Sequence, residues 1–410
     1  MKKIGIAEPS YDSEEIDAVL KVLQTGRLKQ GPLVQELEER FSQYVGMENG
    51  VAVNSGSSAN LVVFEVLKEV GKLKAKDEVI TSALTWPTTV YPIVQVGCKP
   101  IFVDSDPMHF CISPEKVEDA VTERTKALII IHYCGHPCKM DEIMDIVQNK
   151  DIILIEDCCQ SHGATYKGKQ TGSFGDFSTF SFATTHGMTC GEGGMVLMKN
   201  ERYDRVARSI REFGRSCSCK ICKVSVEGVD RCNYGKPSEL RFSWSRLGYS
   251  FRLTEMQAAF ALVQLKKLEG MNERRRENVK YLAEKISNIN WLHLPYPEKG
   301  CKPAWIVCPL TIKKDSHYRR KDLIKFLEKK NIEARVLFSS LLNQPVRRFL
   351  DYETRGTLET TKWVDEKGFM VGCQPSLFAK DLDRVAESIA EFGSNERKGE
   401  TESTNRKDVN

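Results

Sequence analysis

Short apolar runs alternate with amphipathic helical segments along most of the chain, and the runs end in polar residues. This order constrains the fold to an α/β architecture with a largely parallel sheet, because parallel neighbours need a crossover and a helix supplies it. Residues 78–80, 100–104, 126–131 and 152–157 read as short buried strands, and 51–53 as a strand entering a loop. Residues 178–182 and 194–198 flank a glycine-rich turn. Asp12 opens an amphipathic helix that Thr25-Gly26 stops. Helical spacing also covers 34–45 and 57–70. A long helical stretch from 254 to about 286 is expected to break near Gly270.

A chain of 410 residues is long for a single core. After residue 270 the pattern changes to short strands at 303–312 and 332–338, with helices at 316–330 and 380–392. The expected layout is a large domain with an N-terminal arm over 1–270, a small α+β domain over 271–393, and a disordered tail over 394–410, where apolar periodicity is lost. The net charge of +4 argues against a broad nucleic-acid surface. No apolar run approaches membrane-spanning length. The polar N-terminus carries no export signal, so the cytoplasm is the expected location. The fourteen cysteines are therefore not expected to form a disulfide framework. Most, Cys111 and Cys134 among them, read as plain core thiols.

Several residues have the character of a site for an aromatic, phosphate-bearing cofactor. Gly56, Ser57 and Ser58 lie between a strand and a helix, where backbone N–H groups and the helix N-terminus favour an anion. The same Ser-Gly-Ser-Ser sequence also serves a plain helix cap. Asp157 ends an apolar strand, the usual place for ligands in an open α/β sheet. A carboxylate there can keep a pyridine nitrogen protonated, or it can cap a helix. Trp86 can stack on a ring or sit on a rim.

Together, the segments VAVNSGSSAN, SALTWPTTVYP, IEDCCQSHGATYKGKQTGSFGDFSTFSF, GEGGMV and LGYSFRLTEMQAAF resemble the DegT/DnrJ/EryC1/StrS family of vitamin-B6-dependent enzymes. Its members act on nucleotide-linked keto-sugars. The resemblance, from about residue 4 to 393, implies PLP-dependent fold type I (aspartate aminotransferase-like), with a mixed, mostly parallel seven-stranded sheet and a small C-terminal domain. It implies that Gly56, Ser57 and Ser181 hold the cofactor phosphate, that Trp86 stacks on the pyridine ring, that Asp157 pairs with its nitrogen and that Gln160 lies near its hydroxyl. Ser250 stands where the family usually has an asparagine reaching the partner subunit's cofactor. A homodimer with shared active sites is implied as well.

One departure from the family pattern redirects the chemistry. Aminotransferase members carry a lysine in the loop after the Ser181 strand, and it forms the internal Schiff base. Here that position is His186, and no lysine occurs between Lys169 and Lys199. An imidazole cannot form that bond, but it can move protons near neutral pH. Two 3-dehydratase types in the family share the substitution, one acting on a GDP-linked and one on a CDP-linked 4-keto-6-deoxyhexose. Both use pyridoxamine 5′-phosphate (PMP). The resemblance makes His186 the catalytic base.

The CDP-linked type also holds a 2Fe–2S cluster on four cysteines. Its spacing is met by Cys159, which precedes Cys217-Ser218-Cys219 by 57 intervening residues and His186 by 27 positions. The family's fourth position falls on Glu227, so Cys232 is preferred and Cys222 is the alternative. Cys158 competes with Cys159. Four close cysteines, Cys217, Cys219, Cys222 and Cys232, also suit zinc. The reading that results is a PMP- and iron–sulfur-dependent C3 dehydratase/reductase of a nucleotide-linked 4-keto-6-deoxy sugar, served by an electron-donating reductase or ferredoxin. A cluster-free dehydratase, an aminotransferase and a non-catalytic sensor are the alternatives. Arg335 and Asn343 are weaker substrate-contact candidates. His132, His136 and His162 read as loop residues near the pocket.

Overall fold

The computed structural model describes residues 2–217, 219, 220, 243–294 and 296–407, with side chains to residue 394. Local signals set the helix ends. Asp12 accepts from the Glu14 N–H at 2.9 Å, and Glu15 reaches back to Asp12 N, closing a capping box on the helix Ser13–Thr25. Gly26, at φ 67°, ends it. Ser55 caps the helix Gly56–Glu69 through the Ser58 N–H at 3.1 Å.

The strands in chain order are β1 (Asn49–Val53), β2 (Glu78–Ser82), β3 (Lys99–Val103), β4 (Thr125–Ile131), β5 (Ile153–Asp157), β6 (Thr165–Tyr166), β7 (Lys169–Gln170), β8 (Phe177–Ser181), β9 (Gly194–Met198), β10 (Leu292–His293), β11 (Cys301–Lys302), β12 (Cys308–Ile312), β13 (Ala334–Val336), β14 (Glu353–Thr354) and β15 (Gly368–Val371). The main sheet runs β1-β9-β8-β5-β4-β2-β3-β14. It is parallel from β8 to β14, and β9 is antiparallel to both β1 and β8. Helices cover both faces, so its strands are buried on two sides and read as apolar runs.

The sheet has eight strands where seven were expected. The eighth, β14, comes from the C-terminal part and pairs with Ile101 and Phe102 at the open edge. Two residues without an apolar run leave no local strand signal. They are held by Arg355, whose guanidinium donates to both oxygens of Glu78 at 2.9 and 2.8 Å.

The expected break at Gly270 does not occur. One helix runs through it from Glu255 to Ile286, opened by a Thr254 capping box. A mid-helix glycine costs about 1 kcal/mol relative to alanine, and burial on both sides outweighs it. The first half packs Ala258, Ala261, Leu268 and Met271 against the large lobe. The second half packs Val279, Leu282 and Ile286 into the core of the small lobe. The lobe boundary expected at 270 therefore falls inside a helix that both cores share. The small lobe is a four-stranded antiparallel sheet, β10-β12-β15-β13, and Ile4 from the N-terminus enters its core. The last helix, Ala379–Lys407, extends past residue 394, where a tail was expected to begin. Its Glu, Lys and Arg residues are adequate helix formers, and no proline interrupts them. None of the described helices is long and apolar enough to cross a membrane.

A buried ion cluster braces β1, the strand that leads into the Ser55-Gly56 turn. Glu38 pairs with Arg208 and Arg211, each at 2.7 Å, and accepts from the Ala52 N–H at 2.9 Å. The two arginines also donate to the Gly50 and Ala52 carbonyls on β1.

Candidate active site

The carboxyl ends of β1, β5 and β8 bring together Ser55-Gly56, Asp157 and Ser181. Asp157 is 4% exposed at the end of β5, and three donors hold its carboxylate. Asn60 Nδ2 and Thr89 Oγ1 donate to Oδ2 at 3.0 and 2.7 Å, and the Cys159 N–H donates to Oδ1 at 3.1 Å. Thr179 Oγ1 in turn donates to Asn60 Oδ1 at 2.7 Å. These bonds fix and orient the carboxylate in a buried place. Asn60, Thr89 and Thr179 were not assigned from the sequence. Asn60 lies one helical turn beyond Ser57 in the same motif, which was the available signal.

Gly56 is required by close approach. A Cβ there would lie 2.5 Å from Ser181 Cβ, 3.1 Å from Ser181 Oγ and 3.0 Å from Cys159 Sγ. Gly56, Ser181 and Cys159 therefore form one corner beside a helix N-terminus. Ser57 faces outward, its hydroxyl donating to Thr88 Oγ1 at 2.9 Å. Ser58 is turned inward, and its N–H and hydroxyl are both engaged by Ser55 Oγ. That bonding fits a helix cap rather than the phosphate contact expected of Ser58.

Trp86 is 57% exposed and stands immediately before the helix Pro87–Gln95, which carries Thr89 to Asp157. Its ring meets Phe338 edge-on at 6.1 Å. The segment containing Phe338 also bridges Leu84 through Ser340, so the C-terminal part of the chain lies against this loop. Within that segment, Arg335 pairs with Glu333 and Asn343 bonds Asp365. Both substrate-contact candidates are thus engaged with acids. Gln160 is buried, and its Oε1 accepts the Cys134 N–H at 2.6 Å.

His186 lies in the turn after β8, with its N–H on Ala183 O at 3.1 Å. The ring is partly buried, and Nδ1 is buried without a hydrogen-bond partner. Burial lowers its pKa to about 4, against the raising effect of the Asp157 carboxylate. The His162 ring lies 6.3 Å away and is pushed below its ordinary value by burial, then by His186 and Arg275. His162 is thus a buried neighbour of His186, a relation invisible in the sequence.

The remaining residues do not join this corner in one chain. Ser250 is exposed, pairs with Glu212 in a β-bridge and lies 3.4 Å from Arg252 Nη2. Cys217 and Cys219 are half-buried neighbours, and the Cys219 thiol pulls the Cys217 pKa below its ordinary value, against burial. Burial pushes the Cys159 thiol well up. Among the described residues, no group of three ligand atoms within 4.8 Å combines Cys159 with Cys217 and Cys219. Cys222 and Cys232 lie outside the described residues.

The donor set suits a group with an anionic end and an aromatic ring bearing a basic nitrogen. Gly56, Ser181 and the backbone N–H of Ser57 could hold the anion end, Asp157 could pair with the nitrogen, and Trp86 could stack on the ring.

The chain is 35% identical over 396 residues to a dTDP-4-dehydro-2,6-dideoxy-D-glucose 3-dehydratase of Saccharopolyspora spinosa, covering 93% of this chain and 84% of that one. It is 32% identical over 382 residues to a GDP-4-keto-6-deoxy-D-mannose 3-dehydratase of Yersinia pseudotuberculosis, covering 91% and 95%. The solved structure of the Escherichia coli GDP-4-keto-6-deoxy-D-mannose-3-dehydratase with bound hydrated PLP superposes with a TM-score of 0.88 at 31% identity, over 95% of this chain and all of that one. The fold is that of the PLP-dependent aminotransferases. The sequence model of the DegT/DnrJ/EryC1/StrS aminotransferase family matches residues 9–390, and the chain belongs to that family.

Proposed function

We propose that this chain is a PMP-dependent C3 dehydratase of a nucleotide-linked 4-keto-6-deoxyhexose. The observation that carries the reading is His186, an imidazole with a buried, unpartnered Nδ1 where the family's transaminating members need a primary amine. The bound cofactor supplies an amine for the C4 ketone and a ring that accepts electron density. The protein's part is positional and acid–base. Gly56, Ser57, Ser181 and the helix N-terminus bind the phosphate. Asn60 and Thr89 fix Asp157, which keeps a proton on the ring nitrogen. His186 accepts a proton at a ring nitrogen and returns it to the departing C3 hydroxyl.

The iron–sulfur centre and the reductase or ferredoxin are part of the same proposal, with Cys159, Cys217, Cys219 and Cys232 as ligands. The adjacency of Cys217 and Cys219 supports it. The homodimer reading rests on Ser250, which is exposed at the surface with its hydroxyl accepting from Arg252 Nη2 at 3.4 Å.

The test is anaerobic incubation with PMP and GDP-, CDP- and dTDP-linked 4-keto-6-deoxyhexoses, following the C3 carbinol signal by NMR. Loss of the C3 hydroxyl from one substrate is expected. Amino transfer from glutamate without loss of that hydroxyl would overturn the reading in favour of an aminotransferase. Iron and sulfide at about two each per chain are expected for a 2Fe–2S centre, and both should vanish in Cys217→Ser. A metal-free active dehydratase would remove the cluster and the reductase from the proposal.

A further inference from the structure

Two clusters of nitrogen and sulfur donors are separate from the corner around Gly56 and Ser181. The first, His132, Glu156 and Cys158, contains a completed hydrogen-bond network. His132 Nε2 meets Glu156 Oε2 at 3.0 Å, and its Nδ1 accepts the Cys138 N–H at 3.1 Å. Glu156 also accepts the N–H groups of Gly172, Phe174 and Gly175, each at 2.8 Å. A cation there would have to break bonds already made.

The second cluster is less completely bonded, with the Cys111 thiol donating to the His136 carbonyl at 3.3 Å. One ring nitrogen each of His109 and His136 and the Cys111 Sγ lie within 4.8 Å of one another. The three residues are 3%, 1% and 1% exposed. His109 Nδ1 accepts the Cys111 N–H at 3.4 Å, while its buried Nε2 makes no hydrogen bond and faces the Asp106 and Glu298 carboxylates at 3.7 and 3.5 Å; Glu298 Oε2 is likewise buried without a hydrogen bond. His136 Nδ1 lies 2.7 Å from the Pro137 carbonyl, so that nitrogen carries the hydrogen and Nε2 presents a lone pair. A histidine whose second nitrogen donates to a backbone carbonyl is the usual arrangement behind a metal ligand. The Glu298 N–H approaches Nε2 at 3.3 Å, longer than an ordinary N–H bond.

We propose that His109, Cys111 and His136 bind one thiophilic divalent cation of the zinc class, with Glu298 closing the fourth position. Two nitrogens, one sulfur and one carboxylate oxygen match the donors that zinc takes in tetrahedral sites. The site ties together three stretches of chain. His109 and Cys111 follow β3, His136 follows β4, and Glu298 lies between β10 of the small lobe and β11. It also backs the active site, because the Cys134–Gly135 turn beside His136 supplies the N–H that holds Gln160. The rival account is an ion-pair network without metal, in which Lys139 bridges Asp106 at 3.0 Å and Glu298 at 3.9 Å beside a charged His109.

Cobalt separates the two accounts. The full chain, with Cys217, Cys219, Cys222 and Cys232 changed to serine, is stripped with chelator and titrated with Co2+. The expected result is saturation at about one equivalent with the visible bands of tetrahedral cobalt and a near-ultraviolet sulfur-to-cobalt band. Zn2+ should bleach both. Cys111→Ser in the same background should abolish the sulfur band with an unchanged circular dichroism spectrum. Should Cys111→Ser fail to fold, His109→Gln reads the same site, with an expected loss of cobalt affinity of about tenfold or more. Absence of a saturable cobalt spectrum, a sulfur band that survives Cys111→Ser, or an unchanged affinity in His109→Gln would overturn the proposal.

Discussion

Replacing His186 by glutamine removes an imidazole that the fold holds uncharged, and the size of that effect follows from its surroundings. Burial takes the ring from its ordinary 6.5 to about 4, although the Asp157 carboxylate works the other way. At pH 7 about one folded molecule in a thousand then carries the proton. The sign of the linkage is fixed by that depression. Above pH 6.5 the ring is neutral in folded and unfolded chains alike, and its contribution to stability is complete. As pH falls from 6.5 towards 4, the unfolded chain takes up a proton that the folded chain refuses, and stability is lost. Below about 4 both states are protonated and the loss levels off, at no more than ~3 kcal/mol. Histidine-selective 13C labelling of the cofactor-free protein reads the titration directly. Denaturant unfolding at pH 7 and pH 4.5, compared between wild type and His186→Gln, reads its thermodynamic counterpart. The wild type should lose more stability than the variant over that interval. The variant's C3 dehydration should fall by about 10²–10⁴-fold, the usual contribution of a positioned base. A His186 resonance that titrates at pH 6 or above in the folded protein would refute the argument, because the ring would then be solvated rather than buried.

Asp157→Asn should bind PMP more weakly and lose most dehydration, because the amide cannot hold a proton on the ring nitrogen and its NH2 would face the Asn60 or Thr89 donors; fluorescence titration with PMP checks this. Gly56→Ala places a methyl 2.5 Å from Ser181 Cβ, so it should cost about 1–3 kcal/mol of stability by overpacking and weaken binding of PMP more than of pyridoxamine, which lacks the phosphate. Glu38→Gln leaves Arg208 and Arg211 buried with less compensation and should destabilise the chain by about 3–5 kcal/mol in thermal or denaturant unfolding. Because these arginines hold the Glu38 carboxyl below its ordinary range against burial, the wild-type advantage should be present at neutral pH and shrink as pH falls below 4.5.

What the sequence determined by itself is what local patterning controls. The helix at Ser13–Thr25, the buried strands of the parallel sheet and the polar loops at their carboxyl ends are written in caps, turn residues and apolar runs a few residues long. Histidine at position 186, where the family's aminotransferases carry lysine, was legible through the resemblance, since it needs only an aligned loop and the absence of a nearby lysine. The tertiary structure decided whatever depends on partners distant in the chain. Thr89 reaches Asp157 across 68 positions, and β14 joins an edge strand some 250 residues earlier. The helix through Gly270 persists because two separate cores pack against its halves. Cys111 looked like one core thiol among several until β3 and β4 set it beside His109 and His136. A capping or strand signal is carried by neighbours that the chain keeps adjacent whatever its fold. Contacts of this second kind arise only after loops have closed, and single residues on the two sides carry no mark of which partner they will meet.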